Sequence, residues 1–177
     1  MTDEQTGAIE IRPTMVSDLA AVSALHANVF GPGRFARTAY RVRENARKVS
    51  PFCRVARRDG RFIATVSFTP LIIDNQRGVL MLGPVAVDRN HANQGYGRQL
   101  IADGLAAAAA AGVHAIVLVG DLDYFGRLGF QVVPPGQLIF PGPVDPSRIL
   151  ASELIDGALE NFRGQITADC GEQALPQ

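Results

Sequence analysis

Two rhythms of apolar residues run along this chain, an alternation of period two and a helical spacing of three to four. Ile9 to Arg12 alternates and stops at Pro13, which predicts a short first strand. Leu19, Val22, Leu25, His26 and Val29 then fall at helical spacing, behind Ser17 as a cap and ahead of Gly31 as a stop. A second helix is expected over Phe35 to Lys48. Phe52 to Arg57 and Arg61 to Phe68 predict two strands joined through Asp59-Gly60, a pair suited to a tight hairpin. Val79 to Val87, with Pro84 inside it, predicts another strand, Gly95 to Ala111 a helix, and the β-branched run Val113 to Val119 a strand. Asp121 can cap a short helix to Leu128, ended by Gly129, and Phe130 to Val133 makes one more short strand. After a proline-rich stretch to Ser147, the pattern predicts a helix around Ile149 to Asn161, a last strand at Gly164 to Ala168 and a flexible tail, 169–177.

Antiparallel hairpins thus come first, and one strand–helix–strand crossover follows them. That order reads as a mixed α+β or α/β sheet. The length of 177 residues suits a single domain, 1–177, with a core large enough to stabilise itself. Lys+Arg and Asp+Glu both number 17, so no global field draws the chain to nucleic acid or to an anionic membrane. The most apolar stretch, Leu105 to Val119, is broken by Gly112 and His114 and falls short of the roughly 20 residues of a spanning helix. Met1 to Glu10 is polar and acidic, unlike a signal peptide, and a cytoplasmic protein is expected. Cys53 and Cys170 are too few and too far apart to suggest a metal site or a disulfide framework.

The chemistry concentrates where the strand ending at Val87 leads into the helix from Gly95. Gly95 and Gly97 stand at the turn, where successive backbone N–H groups can converge on one anion and the helix end adds partial positive charge. Glycine leaves room for close approach, and Arg98 can add a charge-assisted hydrogen bond. Glycines at a helix start can also do no more than shape its cap. A dinucleotide fold would need a third glycine where Leu100 stands, glycines immediately after the strand, and several crossovers, so it is set aside.

The residues Val85-Ala86-Val87, followed in register by Ala92-Asn93-Gln94-Gly95-Tyr96-Gly97, resemble the cofactor motif of the GCN5-related N-acetyltransferase (GNAT) superfamily. Gly120-Asp121, Tyr124-Phe125, Arg127 and Gly129-Phe130 look like that superfamily's fourth helix and its Gly-Phe ending, and are similar to a bacterial subgroup, the YhbS-like acetyltransferases. The resemblance covers about 52–133, the cofactor core. It implies a mostly antiparallel twisted sheet of about six or seven strands with one parallel, splayed pair, flanked by about four or five helices. It implies acetyl-coenzyme A as cosubstrate, no metal, and transfer of acetyl to a primary amine of a small molecule or protein. Val85, Ala86, Val87, Asn93, Gln94, Gly95, Tyr96, Gly97 and Arg98 are the cofactor-binding residues so implied, with backbone N–H groups near Val85 to Val87 serving the oxyanion.

Two positions depart from the superfamily's pattern. Ala92 replaces the usual Gln or Arg, which shifts the grip towards backbone donors from Asn93 to Arg98. Phe125 stands where a tyrosine commonly acts as general acid, and Tyr124 lies one residue earlier, a turn of about 100° on a helix. Tyr124 is the candidate general acid by residue type, with core packing as its other reading. Glu44, Asp74, His26 and His91 are the conceivable bases. Arg34, Arg37, Arg41, Arg43, Arg47 and Lys48, balanced only by Glu44, form either a solvated basic face or a wall of the acceptor site that hints at an acidic acceptor. A coenzyme A-binding regulatory module without turnover is the competing function, and a homodimer is compatible with the sequence.

Overall fold

Nine strands and four α-helices, linked by short 3-10 turns, make up residues 7–171, the part of the chain that the computed structural model describes. The chain opens with β1 (Ile9–Pro13), α1 (Leu19–Phe30) and α2 (Thr38–Arg43), then runs through β2 (Arg54–Arg58), β3 (Arg61–Ile73) and β4 (Gln76–Val87) as successive hairpins. Asp59 and Gly60 turn the first hairpin with φ of 50° and 77°, and Asp74 and Asn75 turn the second with φ of 46° and 69°. Both are pairs of left-handed residues, the geometry that matches strand twist. There follow α3 (Tyr96–Ala110), β5 (Ala115–Val119), α4 (Leu122–Phe125), β6 (Gln131–Val132), β7 (Leu138–Ile139), β8 (Ile149–Glu153) and β9 (Gly164–Ala168).

The main sheet runs β1-β2-β3-β4-β5-β8-β6, and β9 joins β3 to β7 off that path. Every neighbour along the main run is antiparallel except β4 and β5, which pair in parallel at Val79–Ala115, Leu80–Ile116 and Met81–Val117. Pairing ends there, although both strands continue. In β4 the register against β3 slips by one residue between Leu82 and Val85, a bulge at Gly83-Pro84, and Pro84 has no N–H to offer a neighbour. The two strands therefore part beyond Met81 and Val117.

Strand alternation divides the core into two faces. Leu80, Leu82, Ile116 and Leu118 meet Leu100, Ile101 and Ala108 of α3 on one side. Val79, Met81, Ala115 and Val117 meet Val42 of α2, Phe162 and Ile166 on the other, where α1 also packs on β3 and β4. Helix α3 lies close to the sheet because Gly104 faces Phe68: a Cβ there would overlap the Phe68 ring.

Three expected elements come out differently. The helix over residues 35–48 is reduced to α2, preceded by a 3-10 turn and an extended Arg37, because Val42 is the one residue of α2 that is fully buried and so little burial sustains a single short helix. Residues 149–161 form β8 and a 3-10 turn rather than a helix. The open edge of β5 captures Ile149–Glu153, burying Leu150 and Ala151 on opposite faces, and this outweighs the helix propensity of Leu, Ala and Glu. Asp18, not Ser17, holds the position before α1, and no side chain caps that helix. The Asp18 carboxylate instead accepts from Met15 N at 2.8 Å, closing the preceding 3-10 turn, and from both Arg12 Nη atoms at 2.6 and 3.0 Å. The strand count rises to nine through β7 and β8. Of the expected flexible tail, residues 172–177 lie outside the described residues, while Asp169 pairs with Arg77 at 2.7 Å.

Candidate active site

The gap between Val87 and Gly95 is filled by a 3-10 turn, Arg89–His91. Asp88 Oδ1 accepts from Asn90 N at 2.9 Å and lies 3.3 Å from His91 Nδ1. That backbone bond first, and then His91, hold the Asp88 carboxyl below its ordinary range. Asn93, with φ of 60°, and Gly95, with φ of 86°, then bend the chain into α3. The first helical bond there runs from Gln99 N to Gly95 O at 3.0 Å, so the N–H groups before it are free of intrahelical acceptors. No side chain caps this end and no acidic residue sits in its first turn. It is an uncompensated positive helix end fronted by Arg98.

A cavity of about 450 Å³ opens over this turn, lined by Asn93, Gly95, Tyr96, Gly97 and Arg98 and, from β4, by Val85 and Val87. A Cβ on Gly95 would meet nothing within 4 Å, so its side faces open space, whereas one on Gly97 would touch Val87 at 3.4 Å and Val85 at 3.6 Å. Gly95 supplies the backbone turn, and Gly97 brings the helix close to the strand. Two of the expected residues do not line this cavity. Gln94 donates to Asn90 O at 3.3 Å, and Ala86 is fully buried in the sheet between Val85 and Val87.

A second cavity, about 530 Å³, occupies the gap where β4 and β5 part, between Leu82, Gly83, Pro84 and Val85 on one side and Leu118, Val119 and Gly120 on the other. Val85 lines both cavities, so the α3 turn and the gap between the strands adjoin at this residue. Neighbours in sequence separate here. Tyr124 lines the cavity at the α3 turn, with its ring 5.6 Å from the Arg98 guanidinium carbon. Phe125 lines the gap between the strands and packs edge-on against Phe130 at 5.8 Å.

A third cavity, about 620 Å³, lies between α1, α2 and the polar face of β3 at Thr65 and Ser67. It brings together two of the four conceivable bases, His26 and Glu44, while Asp74 turns a distant hairpin and His91 belongs to the Asp88 loop. Burial first, then the charges of Arg43 and Arg34, push the His26 imidazole down to about 4. Tyr40 lines both this cavity and the gap between the strands. No local sequence pattern marks Tyr40, because its place between the two cavities depends on α2 folding across the sheet. Among the described residues no cluster of three or more His, Cys, Asp or Glu could hold a metal ion, and no helix is long and apolar enough to cross a membrane.

The sequence model of the acetyltransferase (GNAT) family matches residues 19–130, which include α1, the α3 turn, the parting strands and the Tyr124–Phe130 block. The chain belongs to the GNAT family. Among curated GNAT relatives, the uncharacterized N-acetyltransferase YhbS of Escherichia coli is 29% identical over 109 residues, 61% of this chain and 65% of that protein. The chain thus aligns with just under two thirds of that relative's length. The fold is similar over more of the chain. A crystal structure of Escherichia coli YhbS in complex with CoA superposes with a TM-score of 0.78 at 26% identity, covering 96% of this chain and 94% of that one. A GNAT acetyltransferase from Brucella melitensis in complex with acetyl-CoA gives 0.61 at 26% identity, over 86% and 98% of the two chains. The mixed sheet with its parting parallel pair is the GNAT fold.

Proposed function

We propose that this protein is an N-acetyltransferase that moves acetyl from acetyl-CoA to a primary amine. The observation that carries this reading is the placement of the α3 turn beside the gap between β4 and β5, with Val85 lining the cavity at each. The turn suits a diphosphate: free N–H groups, an uncompensated helix end and Arg98 face an open cradle. Beyond Met81, the unpaired edge of β4 suits an extended amide-bearing arm that pairs as an added strand. CoA in the Escherichia coli YhbS structure and acetyl-CoA in the Brucella melitensis structure support the same ligand here.

In the reaction the amine nitrogen attacks the thioester carbonyl, a C–N bond forms as the C–S bond breaks, the amine gives up a proton and the thiolate takes one. Backbone N–H groups of residues 85–87 are the donors we assign to the carbonyl oxygen. Tyr124 is the phenol we assign to the cofactor, at its diphosphate end, since its ring lies beside Arg98 and Gly97 and Phe125 fills the gap side. The expected role of Tyr124 as proton donor to the thiolate is the alternative, and the kinetics of Tyr124→Phe distinguish the two. A cytoplasmic location belongs to the same proposal and is checked by fractionation.

Calorimetric titration with acetyl-CoA tests the core of the reading. Binding at tens of micromolar or tighter is expected, and its absence overturns the assignment. Mass spectrometry of an amine-library reaction then separates an enzyme from a CoA-binding regulatory module, because only the enzyme yields acetylated product.

A further inference from the structure

The cavity under α1 and α2 has a chemistry of its own. Of the five buried side-chain polar atoms without a hydrogen-bond partner among the described residues, four belong to residues lining this one cavity: Thr14 Oγ1, His26 Nε2, Tyr40 Oη and Arg43 Nε. Buried polar atoms in native proteins are nearly always partnered, so a cluster of orphans around one void marks a place that water or a polar ligand completes. His26 is only 5% exposed, and its ring meets that of Tyr40 edge-on with centroids 6.0 Å apart.

The charge around this void is one-sided. Arg34, Arg41, Arg43 and Lys48 line it, against the single carboxylate of Glu44. None of the ion pairs among the described residues engages any of these five side chains. Burial works against the charge on Arg43, which has no carboxylate beside it to compensate. A guanidinium left half-buried and unpaired is matched best by an anion that accepts from its planar fork. His26 does not add to the positive charge, because burial and the neighbouring arginines keep its imidazole neutral. It offers one donor and one acceptor instead.

We propose that the acceptor is a small amine carrying an anionic group, a carboxylate or a phosphate, held in this cavity by Arg43 and Arg34 with His26 and Tyr40 as neutral hydrogen-bonding partners. The proposal rests on the acetyltransferase reading and adds the acceptor's class to it. Tyr40 lines both this cavity and the gap between β4 and β5, so an acceptor anchored at Arg43 extends its amine past Tyr40 towards the thioester. The volume of about 620 Å³ is that of a small-molecule site.

The test compares matched acceptors of similar length, aminocarboxylates against their methyl esters or carboxamides and aminophosphates against their dimethyl triesters, with acetyl-CoA in excess. The anionic members are expected to exceed their neutral partners in kcat/KM by about tenfold or more, the worth of one charge-assisted hydrogen bond. The two anionic arms tell carboxylate from phosphate. Arg43→Gln and Arg34→Gln are each expected to raise the KM of the preferred anionic acceptor while the acetyl-CoA dissociation constant holds. Arg34 sits on a partly exposed turn, so its variant keeps the test valid if Arg43→Gln does not fold. Independently of turnover, inorganic phosphate and acetate titrated into protein with 15N-labelled histidine are expected to shift the His26 signals, and less so in Arg34→Gln. Equal turnover of neutral and anionic amines, or unmoved His26 signals with both anions, overturns the proposal. Failure of acetyl-CoA to bind while phosphate still shifts His26 instead overturns the acetyltransferase reading and leaves the anion site standing.

Discussion

The Tyr124 hydroxyl stands 3.7 Å from where a Cβ on Gly97 would lie, so the phenol faces the first turn of α3. We assign a phenol at that place to the cofactor's grip rather than to its sulfur. Tyr124→Phe is expected to raise the KM for acetyl-CoA several-fold, as the loss of one hydrogen bond of about 1 kcal/mol implies, with kcat nearly unchanged. Steady-state kinetics check this. A large fall in kcat at constant KM would return the general-acid role to Tyr124.

Gly95 combines a left-handed backbone, φ of 86°, with open space on its Cβ side. Gly95→Asp would put a carboxylate into the cradle, and acetyl-CoA binding is expected to fall by about a hundredfold or more as like charges meet. The backbone penalty for a left-handed non-glycine residue is about 1 kcal/mol, so the fold persists. Gly95→Asn, which tolerates this conformation, is the control, and calorimetry with a thermal melt separates the two effects.

Gly104 allows α3 to touch the sheet. A methyl group there would come within 2.7 Å of Phe68 Cζ and 3.1 Å of Phe52 O. Alanine is the better helix former by about 1 kcal/mol, yet overpacking of about 1–3 kcal/mol is expected to win. Gly104→Ala should therefore lower the melting temperature, and Phe68→Leu in the same chain should recover part of the loss. A higher melting temperature for the single variant would mean that α3 can lift from the sheet without cost.

His26 makes stability depend on pH. Its imidazole is pushed down to about 4 in the folded state from an ordinary 6.5, by burial and by Arg43 and Arg34, with Arg41, Lys48, Glu44 and Tyr40 also facing the cavity. Between those values the unfolded chain binds more protons than the folded one, so stability rises with pH across this window and falls as pH drops from about 6.5 towards 4. The change is on the order of 2 kcal/mol, discounted for water entering the cavity. Denaturant midpoints measured at pH 7 and pH 4.5 should differ in the native protein, and the difference should shrink in His26→Gln.

Much of the cofactor side was legible in the sequence because its physics is local. The run from Val79 to Val87, the turn at Gly95 and the helix to Ala110 are set by alternation, glycine and alanine over about thirty neighbouring residues, and the structure keeps them nearly as expected. Asp59-Gly60 likewise turns the hairpin it spells out. Asp74-Asn75 carries the same turn chemistry, and its left-handed pair extends β3 and β4 well past the strands read from apolar alternation alone.

What tertiary structure decided is long-range. Whether Ile149–Glu153 became helix or strand depended on the free edge of β5, which no neighbouring residue encodes. The separation of Tyr124 from Phe125 depended on where α4 settled between the α3 turn and the parted strands. The cavity that gathers His26, Tyr40 and Arg43 exists because α1 and α2 fold over a polar stretch of β3, joining residues 14–67 into one lining. By itself the sequence determined a strand, a glycine turn and a helix with an uncapped N-terminus, since backbone dihedrals and hydrogen bonds act over a few residues. Only the packed sheet decided what lies across from that turn, because burial and charge are summed over parts of the chain that meet only in the fold.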